Sequence, residues 1–312
     1  MASSSTKVVY AALIGNLLVA LTKFVAAAVT GSSAMSSEAV HSLVDTGNEV
    51  LLLYGMKRAE RPPDGAHPFG HGREIYFWSF IVALLIFSLG ASVSVYEGVH
   101  HVLHPVPIER PVVSYVVIGL AFLFESASWR VAFREFRAEK GAGGYLARVQ
   151  RSKDPMTFIV LFEDTAAVIG LAIALAGTAA AHLLEQPVLD GVASIAIGLL
   201  LGAVAAFLAR ESKGLLIGEP AREEVVADIC RIAGSEPGIR ESRGLFTVHI
   251  GPRQVLAAIS VDFEDTLTAA RVETIVATIE GKVRQAHPEV VSVLITPQPV
   301  KAFGLAPSEE EA

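Results

Sequence analysis

Six long apolar segments restrict what this chain can fold into. They cover approximately residues 8–30, 34–56, 76–100, 111–133, 155–180 and 187–209. At about 1.5 Å per helical residue, each is long enough to cross about 30 Å of hydrocarbon. Composition agrees, because only 18% of the 312 residues are charged, against about a quarter in soluble domains. The sequence predicts an α-helical membrane protein with six transmembrane helices.

After Gly218 the hydrophobic period changes to that of a soluble domain. The predicted elements are a helix at Pro220–Ile232, strands at Gly244–Ile250 and Gln254–Phe263, a helix at Thr266–Gln285 and a strand at Val290–Thr296. This αββαβ order predicts a small α+β unit with helices on one face of a sheet. We therefore expect a transmembrane domain at 1–212, an α+β domain at 213–303 and an acidic tail at 304–312. The α+β domain contains no glycine-rich phosphate loop and no nucleophile motif, so the sequence does not indicate an enzyme.

Basic residues are concentrated in alternate loops. They are Lys57, Arg58, Arg61 and Arg73, then Arg134, Arg137, Lys140, Arg148, Arg151 and Lys153, and finally Arg210 and Lys213. By the positive-inside rule, both termini and the α+β domain are predicted to be cytoplasmic. The first apolar segment lacks a cleavage pattern and is predicted to be a retained helix. The short leader before it favours a bacterial inner membrane over an organelle.

His41 and Asp45 lie four residues apart in the second apolar segment, with Asn48 three residues further on. This spacing puts the three side chains on one helix face. A charged group at bilayer depth costs about 2.5–3.5 kcal/mol on insertion scales, so such a pair is expected to face a cavity, partner or ligand. Imidazole and carboxylate together are ligands for Zn²⁺, Mn²⁺ and Fe²⁺. The alternative is a polar cluster that only holds helices together.

Glu163 and Asp164 are adjacent in the fifth apolar segment. On a regular helix they point about 100° apart, so one can face the second segment while the other faces a different neighbour or water. Asp164 is the stronger candidate metal ligand and Glu163 a second candidate. The alternative is that one of them only marks the end of the helix near water.

The loop after the second segment reads PPDGAHPFGHGRE and carries Asp64, His67 and His71. Three metal-capable side chains among glycines allow a short loop to wrap one ion. The alternative is a solvated loop with incidental histidines.

A single cysteine, Cys230, excludes a disulfide framework and a thiolate cluster. No resident cofactor and no nucleic-acid partner are expected.

Other polar residues also fall within the apolar segments. We expect Lys23 to extend toward a membrane interface, and Glu125 to pair with Arg130 despite the unfavourable spacing. These residues indicate only that the helix bundle has a polar interior.

On these residues the chain resembles the cation diffusion facilitator family of divalent-metal/proton antiporters. The resemblance covers six spans, the stretch SEAVHSLVDTGN, the loop HPFGHGRE, the DG that begins the sixth span, and the αββαβ domain, which is metallochaperone-like in this family. It implies a homodimer in the lipid bilayer, joined by its cytoplasmic domains. It also implies that His41, Asp45 and Asp164 form a transport site between spans two and five, and that Asp64, His67 and His71 form a second metal site.

Two departures from the family pattern affect these expectations. Four residues before Asp164, where the family carries His or Asp, this chain has Val160, so Glu163 is the obvious substitute ligand. The stretch EDTAAV is most similar to the branch that includes a mitochondrial zinc-transporter homologue. The α+β domain also lacks the zinc-binding His/Asp cluster of many members, so we expect dimerisation with little metal sensing.

The resemblance implies export of Zn²⁺ from the cytosol in exchange for H⁺, by alternating access. Fe²⁺, Mn²⁺ and Co²⁺ are alternative cargoes, since carboxylate-rich ligation suits several first-row ions. A metal-binding membrane sensor or scaffold that transports nothing is the alternative of a different class.

Overall fold

The computed structural model describes residues 2–108, 110–138, 153 and 155–298. The predicted acidic tail at 304–312 lies outside the described residues, as do several basic residues of the loop before the fifth apolar segment.

The chain divides into two compact units. The helical unit comprises Met1–Arg58 and Glu74–Lys213, and the sheet unit comprises Ala59–Arg73 and Gly214–Ala312. The loop with Asp64, His67 and His71 therefore belongs to the sheet unit.

The helical unit is built from long helices that follow the apolar segments. They are α1 (Ala2–Thr30), α2 (Ser33–Ala59), α3 (Glu74–Leu85), α4 (Ser92–Leu103), α5 (Pro111–Ala138), α6 (Pro155–Leu183) and α7 (Val188–Ile217). A π-helical segment at Ile86–Ala91 joins α3 to α4, so that the three form one continuous helical stretch. Apolar periodicity alone gives no signal for this turn.

Four of the described helices are long and apolar enough to cross a membrane: Glu74–Leu103, Pro111–Arg130, Phe158–Leu183 and Val188–Ile217. The apolar part of α1, Asn16–Thr30, is shorter. Helix α2 is 27 residues long but carries Glu38, Asp45 and Glu49, which lower its apolar content. The structure therefore supports an integral membrane protein with four clear spans, and the count of six remains a prediction.

A buried carboxylate fixes the start of α2 within the bundle. Asp190 of α7 is fully buried and accepts hydrogen bonds from the Ser32 hydroxyl (2.9 Å), the Ser33 hydroxyl (3.2 Å) and the backbone N–H of Ala34 (3.2 Å). The Thr178 hydroxyl of α6 donates to the same carboxylate at 3.2 Å. A carboxylate is stabilising at a helix N-terminus, because it accepts from unpaired N–H groups there. Asp190 thus sets the positions of α2 and α6 that carry the candidate ligands.

Helices α4 and α7 pack almost backbone to backbone. A Cβ atom at Gly98 would lie 2.7 Å from the carbonyl oxygen of Gly191, and one at Gly198 would lie 2.6 Å from the Val95 side chain. Only glycine permits this approach, so the two helices form a tightly packed pair.

The sheet unit has the predicted order αββαβ: α8 (Glu223–Gly234), β1 (Ile239–Gly251), β2 (Gln254–Phe263), α9 (Ala269–Ala286) and β3 (Val290–Pro297). The strands lie in the order β1-β2-β3. Strands β1 and β2 are antiparallel, whereas β2 and β3 are parallel. Strand β1 begins at Ile239, five residues before the predicted start, because its pairing with β2 continues across irregularities on either side of Gly244.

Within the described part of the sheet unit, helices α8 and α9 cover one face of the sheet. Alternate residues of β2, including Val255, Ala257 and Ile259, are buried against Ile229 of α8 and Ile279 of α9. On the other face, Phe246 is 58% exposed and Leu294 is 51% exposed. The register pairs Phe246 with Ala258 and Ala258 with Leu294, so these residues form one row across the open face.

Candidate metal centre

Helix α2 presents a row of polar side chains inside the helical unit. Glu38, His41, Asp45 and Asn48 follow one another at spacings of three, four and three residues. This is the spacing of a single helix face. Glu38, His41 and Asn48 are almost completely buried, and the Asp45 side chain is 19% exposed. The predicted grouping of His41, Asp45 and Asn48 on one face is present in the structure.

His41 and Asp45 lie close together without a hydrogen bond between them. His41 Nδ1 is 3.3 Å from Asp45 Oδ1. Within the described residues, both ring nitrogens of His41 and Asp45 Oδ1 are buried without a hydrogen-bond partner. Buried polar atoms are nearly always paired, so unpaired imidazole and carboxylate atoms side by side indicate a place for a ligand.

Glu163 of α6 faces α2 directly. It is 6% exposed, and its Oε1 accepts a 2.7 Å hydrogen bond from the Asn48 side-chain amide. Helix α6 is an α-helix from Pro155 to Leu183. Glu163 therefore contacts α2 from within a regular α-helix.

Asp164 faces α5 at its contact with α6. Its Oδ2 accepts a 3.0 Å hydrogen bond from the Ser128 hydroxyl. The Trp129 indole N–H donates to the Thr165 hydroxyl at 3.0 Å, in the next position on both helices. The two acidic neighbours of α6 thus point in different directions, as their adjacency predicts. Glu163 contacts α2 and Asp164 contacts α5.

A polar cavity lies between these helices and contains five carboxylates. It is lined by Asn16, Ser42, Asp45, Glu49, Glu125, Ser128, Val160, Glu163 and Asp164. Asp45, Glu163 and Asp164 of the predicted site thus line one cavity, but their ligand atoms do not form a set within 4.8 Å of one another. His41 and Asn48 are not among the lining residues, although each contacts one of them, Asp45 and Glu163 respectively. Val160 lines the wall one helical turn before Asp164.

Lys23 contradicts the expectation from sequence. Its side chain is fully buried and does not extend to an interface. Its ammonium donates to the Ser42 hydroxyl at 2.7 Å and to Glu38 Oε2 at 3.3 Å. Glu125 Oε1 lies 3.8 Å from it, so Glu125 pairs with Lys23 and not with Arg130 as predicted. The carboxylates of the bundle supplied a partner inside the protein, which hydropathy along the chain does not reveal.

Sequence reasoning missed Glu49 as a cavity residue. It accepts a 2.7 Å hydrogen bond from the Asn16 amide and lines the cavity with Asp45. Glu49 lies four residues after Asp45, on the same helix face, so the spacing rule that found His41 also reaches it.

Asp64, His67 and His71 form a second compact group within the sheet unit. Asp64 Oδ2 is 3.0 Å from His71 Nε2, and Asp64 Oδ1 is 3.3 Å from His67 Nδ1. One ligand atom from each of the three residues lies within 4.8 Å of the others. Among the described residues this is the one set of three or more His, Cys, Asp or Glu side chains that meets that criterion. The structure therefore brings all three predicted loop residues together.

Backbone geometry holds Asp64 in place. Its Oδ1 accepts hydrogen bonds from the backbone N–H groups of Ala66 (2.9 Å) and His67 (2.7 Å), and Gly70 turns the chain back with a φ of 82°. The hydrogen bond from His71, followed by that from the His67 backbone, holds the pKa of the Asp64 carboxyl well below its usual range. Asp64 is therefore an anion near neutral pH, the form that binds a metal cation.

Helices of membrane-spanning length around a carboxylate-lined cavity are typical of an integral membrane protein with a polar interior. Residues 9–217 match the family model described as the cation efflux transmembrane domain. The chain belongs to this cation efflux family.

Curated relatives include zinc and metal proteins of eukaryotes. The chain is 36% identical over 260 residues to the mitochondrial proton-coupled zinc antiporter SLC30A9 of Homo sapiens, covering 83% of this chain and 46% of that protein. It is 33% identical over 261 residues to metal tolerance protein C4 of Arabidopsis thaliana, covering 83% and 57%. It is 24% identical over 288 residues to the magnetosome protein MamB of Magnetospira sp. (strain QH-2), covering 88% and 90%. The chain thus spans about half the length of the first two relatives.

Proposed function

We propose that this protein is a secondary transporter that moves a divalent cation, Zn²⁺ first among the candidates, across a membrane in exchange for protons. The transport site contains His41, Asp45, Glu163 and Asp164 between α2 and α6, with Asn48 as an accessory residue. In this proposal six helices cross the membrane, the termini and the sheet unit are cytoplasmic, and metal is exported from the cytosol. The membrane is a bacterial inner membrane.

One observation carries the proposal: His41 and Asp45 have buried atoms without hydrogen-bond partners, and Asp45 lines a cavity that Glu163 and Asp164 also line. A purely structural polar cluster is expected to satisfy its own hydrogen bonds. One imidazole with three carboxylates is a donor set for Zn²⁺ and also for Mn²⁺, Fe²⁺ and Co²⁺. The same groups bind protons when the metal leaves, which provides the exchange.

The test is uptake into proteoliposomes that hold a fluorescent zinc indicator. Purified protein is reconstituted, and Zn²⁺ is added outside with an acidic or a symmetric interior. We expect zinc uptake that is faster when protons flow outward and that collapses when an ionophore dissipates the gradient. Zinc binding in detergent with no flux under any gradient would favour a metal-binding sensor or scaffold. Parallel trials with Mn²⁺, Fe²⁺ and Co²⁺ rank the cargoes.

We also propose that Asp64, His67 and His71 hold a second metal ion in the loop. Support comes from the approach of the three ligand atoms and from the ionised state of Asp64. His71 is nearly buried, with a side chain 6% exposed, so it is held in position before metal arrives. A preformed site loses less conformational entropy on binding than a mobile loop.

Gly72 provides a test of this loop site. A Cβ atom at Gly72 would overlap the carbonyl oxygen of Ile250 and the side-chain oxygen of Gln254. Since a backbone carbonyl cannot yield easily, Gly72→Ala is expected to displace the adjacent His71 and weaken zinc binding at the loop about tenfold. The measurement is isothermal titration of full-length protein that carries Asp45→Ala, so that the loop dominates the isotherm.

Gly65 supplies the matched control in the same loop. A Cβ atom at Gly65 meets nothing within 4 Å, and its backbone has no positive φ. Gly65→Ala is therefore expected to bind zinc as the parent does. Equal affinities for the Gly65 and Gly72 variants would contradict the role given to the loop's close packing.

The open face of the sheet supports a homodimer. The row of Phe246, Ala258 and Leu294 is apolar, and Phe246 and Leu294 are exposed to solvent, whereas the opposite face is buried under α8 and α9. A second copy of the chain, offering the same row, would bury it in a self-complementary contact. The sheet domain thus serves dimerisation. Among the described residues, no metal-capable group of three arises from the part after Gly214.

Phe246→Asp together with Leu294→Asp is expected to weaken the dimer at least about tenfold, because charges replace central apolar contacts. The measurement is molar mass by light scattering in detergent across a dilution series. Thr274→Asp on the exposed side of α9 serves as the control and is expected to leave the mass unchanged. A mass unaffected by the double substitution would rule this face out as the interface.

A further inference from the structure

Lys23 is a buried cation that the proposed transport cycle does not use. Its side chain is 0% exposed on α1, and so is that of its partner Glu38 on α2. An ammonium group at bilayer depth persists only where its charge is compensated. Its ammonium lies 2.7 Å from the Ser42 hydroxyl, 3.3 Å from Glu38 and 3.8 Å from Glu125. These three contacts differ in what surrounds them.

Glu38 is held between Lys23 of α1 and helix α6. It is not among the cavity-lining residues, and it packs against Gly170 of α6, where a Cβ atom would lie 2.5 Å from Glu38 Oε1. The missing side chain at Gly170 makes room for this carboxylate. Glu38 Oε2 and Lys23 therefore form a buried ion pair, whereas Glu38 Oε1 has no hydrogen-bond partner among the described residues.

Glu125 and Ser42 connect Lys23 to the cavity. Both line it together with Asp45 and Asp164. The Glu125 side chain is 17% exposed, and at 3.8 Å it is too far from the ammonium for a hydrogen bond. The negative charge of Glu125 thus acts on two neighbours: Lys23 on one side and any cation that enters the cavity on the other.

We propose that Lys23 is a positioning residue whose fixed positive charge limits the affinity of the cavity for its divalent cation. This inference rests on the proposed transport function and concerns the same site. Five carboxylates around one divalent cation favour tight binding and therefore slow release. The positive charge of Lys23 repels the entering cation and also attracts the Glu125 carboxylate. Both interactions are strong where water is excluded. Transport requires binding that is tight enough for entry and weak enough for release.

The test separates zinc affinity from turnover in proteoliposomes. Lys23→Met with Glu38→Gln removes both charges of this ion pair, so that the Glu38 carboxylate is not left buried without its partner. Glu38→Gln alone keeps the Lys23 charge and separates the effect of losing Lys23 from that of losing Glu38. We expect the KM for zinc to fall about tenfold and kcat to fall by a similar factor, because release becomes slow. Zinc titration in detergent is expected to show a correspondingly lower Kd. The single substitution Lys23→Arg keeps the positive charge, so its KM and kcat are expected to stay within about threefold of the wild-type values.

Thermal unfolding of each variant distinguishes this role from a structural one. A double variant with wild-type stability and unchanged KM and kcat would overturn the inference. A KM that rises while stability falls would also overturn it, because that is the result of a damaged fold. Lys57→Met removes an exposed lysine from the end of α2 and controls for loss of positive charge in general. Wild-type protein without zinc flux would instead reject the proposed function itself.

Discussion

Replacing Asp45 or Asp164 with alanine is expected to abolish proton-driven zinc uptake, with initial rates falling about 100-fold or more. Loss of a group that merely orients a metal ligand already costs about 10–100-fold. Each aspartate lines the cavity from a different helix, so each loss leaves the site incomplete on one side. The measurement is zinc flux in proteoliposomes under an imposed pH gradient.

Isosteric substitutions and a remote control define this result. Asp45→Asn and Asp164→Asn keep the side-chain volume and are expected to lose flux as the alanine variants do, since an amide carries no charge for the metal. Glu185→Gln alters an exposed carboxylate between α6 and α7 and is expected to transport normally. Flux at the wild-type rate in either aspartate variant would reject the transport-site assignment.

Glu163→Gln is expected to weaken zinc binding at the cavity about tenfold or more, because it removes a carboxylate that faces α2. Asn48→Ala is expected to have a smaller effect. It leaves the Glu163 charge in place and removes only the amide that orients it. The measurement is zinc titration of detergent-solubilised protein carrying Asp64→Ala, so that the loop does not contribute to the isotherm.

An unchanged affinity in Glu163→Gln would assign that residue to helix orientation or proton handling. Flux measurements separate those two roles. If Glu163 handles protons, zinc flux in the Glu163→Gln variant is expected to lose its dependence on the pH gradient. If Glu163 only orients the helix, zinc flux is expected to change equally in both directions of transport.

Spacing along single helices was sufficient to find much of the candidate site. The intervals between His41, Asp45 and Asn48 put them on one face in any α-helix, whatever packs against it. The loop residues Asp64, His67 and His71 are close in sequence, and glycines limit the shapes of their loop, so their approach was also predicted. Glu49 was accessible to the same rule and was overlooked.

Contacts between helices were not accessible from spacing. Whether Glu163 or Asp164 faces α2 depends on the rotation of α6, which its packing against α5 and α2 fixes. Lys23 was expected at an interface, because snorkelling is the cheapest outcome for a lysine on an isolated helix. Within the bundle, Glu38 on a neighbouring helix made full burial possible.

The sequence by itself determined the apolar helices, the αββαβ order of the sheet unit and the row of polar side chains on α2. These depend on period and local spacing, which act over one or two turns. The tertiary structure alone decided that Asn48 orients Glu163 and that Asp164 contacts α5. It also decided that Lys23 is buried against two cavity-lining residues, Ser42 and Glu125. Each depends on how far one helix is rotated against another, and that rotation is fixed by packing between residues distant in the chain.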